Sequence, residues 1–175
     1  MNKVLLFLAL STTIFLGSCE GEQGPPGEDG INILGQVFET TVNFQYDGSN
    51  GVLFSPFISI PFEVYESDVV LAYRYEGQEI VNGEAVDIWN LLPRSVFYQD
   101  GTGDLFEYSF NHTFFDVQFI IDGNFDLSTL NDPNFLNNQT FRIAVIPAEY
   151  ADANLSMEEL MQALQINPTD IETVQ

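Results

Sequence analysis

Basic residues are almost missing from this chain, and so are several catalytic side chains. Lys3 is the only lysine, and Arg74, Arg94 and Arg142 are the only arginines, against 26 acidic residues. Binding to nucleic acid needs clustered Lys and Arg to displace counterions, so a chain of this charge is excluded from that class. His112 is the only histidine, which rules out a metal site with two histidines from one chain. No Gly-x-Ser-x-Gly elbow is present to place a serine for a Ser-His-Asp triad, so His112 reads as a strand-end residue. Phosphate-cradling Gly-x-x-x-x-Gly-Lys and Gly-x-Gly-x-x-Gly loops are lacking too, which leaves nucleotide chemistry without support. Cys19 is the only cysteine, so neither a disulfide framework nor a thiolate cluster can form.

The first thirty residues are organised differently from the rest. Lys3 precedes an apolar stretch, Val4 to Leu16, which closes on Leu16-Gly17-Ser18-Cys19. This is the charged, apolar and small-residue sequence of an export signal, and the apolar run is too short to span a bilayer. We read residues 1–18 as a lipoprotein signal peptide and Cys19 as the lipidated first residue of the mature chain. The remaining 157 residues suffice for one domain with a real core. They carry three basic and 26 acidic residues, a formal charge of −23. The acids are spread along the chain and not massed in one run, which favours a solvating role; cation binding is the sharper alternative.

After Cys19 and Glu20, glycine stands at every third position, at Gly21, Gly24, Gly27 and Gly30, with Pro25 and Pro26 between. This is the collagen triplet pattern. So few triplets make a marginal triple helix, so residues 19–30 read as an extended spacer of roughly 3.1 Å per residue. Trimerisation through it is the alternative.

The lipobox cysteine and triplet run resemble small lipoproteins of Bacteroidetes-type bacteria, in which a collagen-like linker precedes a compact β domain of unknown function. Val64 to Val69, Asp122 to Leu127, and Gln139 to Ile143 leading into Ile146-Pro147-Ala148 carry the same resemblance. It implies an outer-membrane protein held by its lipid. Glu20 and Glu22, though interrupted by Gly21, resemble the acidic signal that sends such proteins to the cell surface. It implies no particular activity.

From residue 31 to 175, apolar and polar residues alternate, as in half-buried strands. Phe38, Thr40, Val42, Phe44 and Tyr46 would share one face of a first strand, followed by a turn at residues 47–51. The strand from Val52 to about Phe62 carries Pro56 and Pro61, which confine it to an edge or a bulge. Val81-Asn82-Gly83-Glu84 signals a two-residue hairpin between Val69–Ile80 and Val86–Leu91. Further strands are expected at 95–99, 105–112, 115–121 and 140–146, with one helical turn near Leu127 to Leu130. Seven or eight such strands predict an antiparallel β-sandwich, the immunoglobulin-like arrangement being one option. Ser156 with Glu159 forms a capping box, and Met157, Leu160, Met161 and Leu164 follow at helical spacing. A short amphipathic helix over 157–165, halted by Asn167-Pro168, would pack on the sandwich or cover an edge.

Three functional readings follow. Asp122, Asn124, Asp126 and Ser128 place oxygens at alternating positions, as calcium loops do, although Leu127 and Pro133 break the EF-hand pattern; a turn with helix caps is the plainer reading. Tyr73, Tyr75, Trp89 and Arg94, with Tyr98 and Tyr108, could form a platform for a glycan or an envelope protein, with Arg94 stacked on Trp89. Tyrosines at period two equally suit a sandwich core. Paired carboxylates would suit a carbohydrate-active hydrolase, yet among 26 acids some pair always lies at the required spacing. The preferred expectation is therefore a non-catalytic binding or structural lipoprotein without a required cofactor, anchored in the membrane by its lipid.

Overall fold

The first long run of alternation does not stay in one sheet. In the computed structural model, which describes residues 35–98, 101–148 and 155–174, β1 (Gln36–Val42) and β2 (Gln45–Asp47) are separated by a corner. Phe44 is buried at this corner, and its backbone N–H donates to the Leu136 carbonyl at 2.8 Å, outside any ladder. The chain thereby passes from one sheet to the other while its side chains keep their inward alternation as far as Phe44; Tyr46, expected on the same face, is exposed. The signal peptide, Cys19 and the collagen-like linker lie outside the described residues. By backbone contacts, the compact unit that holds the described residues runs from Ile33 to Gln175.

Pro56 divides the next stretch into β3 (Val52–Phe54) and β4 (Ile58–Ser59), because proline has no N–H for the ladder. The Ser55 hydroxyl fills the gap by accepting from Phe119 N–H at 2.9 Å and donating to the Pro56 carbonyl at 2.7 Å. The prolines were expected to confine this stretch to an edge or a bulge: Pro56 falls in the break and β4 beyond it pairs with β9 alone, while β3, ahead of the proline, lies between two strands. The hairpin at 81–84 joins β5 (Asp68–Val81) to β6 (Glu84–Leu91). Asn82 and Gly83 both take positive φ, 54° and 90°, as a type I′ turn requires.

Beyond it come β7 (Arg94–Phe97), β8 (Leu105–His112) and β9 (Asp116–Gly123), then a 3₁₀ turn at Leu127–Thr129 and a one-turn helix α1 (Pro133–Leu136). The chain closes with β10 (Gln139–Pro147), helix α2 (Met157–Leu164) and β11 (Glu172–Val174). One sheet has the order β11-β1-β10-β5-β6; the other runs β2-β3-β9-β8-β7, with β4 also on β9. All pairs are antiparallel except β1 with β11. The chain is thus mainly β, two packed sheets with one short helix, a β-sandwich. Its first long strand lies beside its last long one, which is not the ABED and CFG order of immunoglobulin domains.

Between the sheets, Phe119 and Phe141 stack with centroids 3.8 Å apart, within a core that includes Phe38, Ile143, Phe106, Tyr108 and Ile121. The far face of the first sheet is covered by α2, whose Met157, Leu160, Met161 and Leu164 meet Val37, Tyr73, Ala144 and Ile146. Both hydrogen bonds of the capping box are present. The helix ends at Gln165 in the left-handed region (φ 56°), short of the Asn167-Pro168 expected to stop it.

Candidate functional site

Arg74 and Glu76 are two residues apart on β5, so they share a face, and it is the face opposite Tyr73 and Tyr75. Arg74 is held on three sides. Its guanidinium lies 4.4 Å from the Tyr108 ring centre, and its Nε and Nη2 donate to Gln139 Oε1 at 3.2 and 2.7 Å. Its Nη1 donates to Glu76 Oε1 at 3.2 Å. Gln139 is fixed in turn, because its Nε2 donates to the carbonyls of Asn134 and Asn137. Arg94, at the start of β7, grips the same carboxylate with Nε on Oε1 at 2.9 Å and Nη2 on Oε2 at 3.2 Å.

Burial alone would raise the Glu76 carboxyl. Hydrogen bonding and charge from Arg94, the charge of Arg74 and a hydrogen bond from Asn90 outweigh it, and the carboxyl is held below its usual range. The same pairing raises Arg94, chiefly through its hydrogen bond to Glu76. These groups line an open cleft of about 580 Å³, with Tyr75, Ser95, Phe97, Asn134, Asn138 and Thr140 completing its wall. The Phe97 ring stands 78% exposed there. Rigid planar donors and acceptors beside an exposed ring are the means by which proteins hold polar, ring-shaped ligands. Glu76 is the one carboxylate in this described lining.

No family model, curated protein or solved structure matches the chain. Any function must therefore be read from the surface itself.

The four expected platform residues do not form one surface. Tyr73 is buried under α2, with its hydroxyl donating to the Leu155 carbonyl at 2.9 Å, and burial pushes that hydroxyl up to about 12. Tyr108, also fully buried, donates to the Phe135 carbonyl and is likewise raised to about 12 by burial. Tyr75 and Trp89 are register partners whose rings meet at 5.2 Å. Arg94 belongs to the cleft, and the cation over Trp89 is Arg142, at 4.0 Å. Arg142 also donates from Nε to Glu39 at 3.1 Å, so each of the three arginines is ion-paired. The indole N–H of Trp89 is buried without a hydrogen-bond partner among the described residues.

In the expected calcium loop one oxygen each of Asp122, Asn124 and Asp126 accepts from a backbone N–H. Asp122 accepts from Gly123 N–H, and Asn124 accepts from Leu105 N–H while donating to the Gly103 carbonyl. Asp126 caps the 3₁₀ turn by accepting from Ser128 N–H, and hydrogen bonding from Ser128 lowers its carboxyl. Among the described residues, no three His, Cys, Asp or Glu side chains converge as metal ligands would. His112 sits exposed at the end of β8, its ring beside Phe110.

Sequence reasoning did not single out Glu76, Gln139, Arg74 or the Glu39–Arg142 pair. The signal was available: an arginine within an apolar alternation must find a carboxylate, and Arg74 has Glu76 two residues away on its own face.

Proposed function

We propose that this chain is a bacterial lipoprotein, acylated at Cys19 and held at the outer membrane by that lipid, whose β-sandwich binds a ligand without transforming it. The ligand class that suits the cleft is a neutral glycan. The observation that carries this reading is the Arg74–Glu76–Arg94 cluster, a rigid hydrogen-bonding floor next to the exposed Phe97 ring. An anionic ligand would meet the field of a chain carrying a large excess of acids, and most cationic surfaces of a partner would find Glu76 already engaged.

A hydrolase acting through paired carboxylates fits the cleft less well, because its described lining offers Glu76 alone and two arginines hold that group ionised. No described helix is long and apolar enough to cross a membrane.

Two experiments test the proposal. Cys19→Ser should abolish fatty-acid labelling and move the chain out of the membrane fraction; an unchanged fraction refutes the anchor. On a panel of immobilised glycans, the full chain should retain a neutral oligosaccharide, lose it on Arg94→Ala, and release no reducing ends. Release of reducing ends would replace binding by hydrolysis.

A further inference from the structure

From Gln78 to Asp87 every residue is exposed. β10 begins at Gln139 and its last partner on β5 is Arg74, so beyond the bulge between Tyr75 and Gln78 the two strands pair only with each other. They form a ribbon that projects past the sheet, with Ile80 73%, Val81 48% and Val86 41% exposed. A two-stranded ribbon is marginal in water, and aliphatic side chains left in solvent do nothing for it. β6 is also the last strand of its sheet, and its outer edge has no strand partner among the described residues.

Along that strand runs a second concavity, an apolar groove of about 540 Å³. Val86, Ile88 and Trp89 of β6 form one side, and Met157, Met161 and Pro168 face them. Consecutive residues of β6 line it, as happens where the edge of a strand and not only one face is open. Asp87 and Glu158 line it, together with Arg142, which is ion-paired with Glu39, and Glu79 and Glu84 stand exposed on the ribbon beyond it.

We infer that the edge of β6 docks an extended segment of a partner protein, added as a further strand, with alternating apolar and basic side chains. Its apolar row enters the groove on the face of Trp89, and its basic row, on the opposite face, meets Glu79 and Glu84, which share that face by register. Main-chain hydrogen bonds give such strand addition its affinity, and pockets for alternate side chains give it specificity. A second copy of this chain brings the same acids to the same edge and is repelled. This surface is separate from the cleft and stands whether or not the cleft takes a glycan.

The test uses the full-length chain in detergent and a fluorescent alternating valine–lysine peptide long enough to span Glu84–Leu91, followed by anisotropy. Binding is expected to weaken by roughly tenfold or more when alternate peptide amides are N-methylated, and by a similar factor in Glu79→Gln/Glu84→Gln. The remote variant Glu63→Gln/Glu66→Gln should bind as the parent does. The proposal is overturned if the peptide does not bind, if methylation has no effect, or if both double variants lose affinity equally, which is charge adsorption. A concentration-dependent dimer that the ribbon variant strengthens would identify a second copy as the occupant and overturn it as well.

Discussion

Replacing Glu76 by glutamine keeps the size and one acceptor of the side chain, removes its charge and turns its other acceptor into a donor. Two arginines then lose their counterion, and the structure says they lose different amounts. The Arg94 side chain is 44% exposed, so solvent screens its pair with Glu76 and the loss is no more than about 1 kcal/mol. Arg74 is 12% exposed and loses a charge-assisted hydrogen bond, worth about 1.5–3 kcal/mol, part of which the glutamine oxygen restores. The expected sum is about 2 kcal/mol, or a melting point lower by about 4–8 °C for a domain of this size.

The pH dependence separates charge from packing. The Glu76 carboxyl is held below its ordinary 4.5 in the folded chain, so its contribution is complete above that value and is lost as pH falls through the lower, folded one. Urea unfolding followed by the fluorescence of Trp89, the only tryptophan, should therefore show a wide gap between parent and Glu76→Gln at pH 7 and almost none near pH 2. An equal gap at both pH values would mean that the glutamine disturbs packing, and the electrostatic account would be wrong. The absence of a gap at pH 7 would mean that the cluster is idle in stability.

Leu160→Ala removes a fully buried side chain where α2 meets the sheet and should cost about 2–5 kcal/mol in the same urea titration. Gly123→Ala would bring a Cβ to 2.9 Å from the Leu105 carbonyl, so the end of the β8–β9 ladder must shift; a loss of about 1–3 kcal/mol is expected, and thermal unfolding measures it. Calcium should leave the melting point where a chelator leaves it, because one oxygen each of Asp122, Asn124 and Asp126 is committed to a backbone N–H in a turn or cap; a rise of several degrees would reassign them as ligands.

Local chemistry made some elements legible and distant partners hid others. Asn82-Gly83 announces its hairpin because both residues tolerate positive φ, and the Ser156–Glu159 box announces its helix through two mutually satisfied backbone groups. The corner at Phe44 is silent, since the side chain keeps the alternation of one strand while the backbone bonds to Leu136. β11 has three residues and exists only because β1 offers it an edge. The cleft was hidden for the same reason: β5, β7 and the start of β10 each bring a fragment, and no single segment contains the cluster. The loop from Asp122 to Ser128 shows the opposite error, because turns and helix caps place oxygens at the same alternating spacing as a calcium site.

The placing of β1 has a mechanical consequence. This strand is flanked on both sides, by β10 in an antiparallel register of seven residues and by β11 in a parallel one of three. It begins at the end of the sheet where β10 finishes, and the ribbon projects from the other end. A pull that enters ahead of Gln36 and is resisted at the ribbon runs along the strand axes. The backbone bonds on both flanks then carry it together in shear, where a pull across the strands would peel them one at a time. A domain tethered through its N-terminus and gripped at its far tip is thus loaded in the direction in which it resists most.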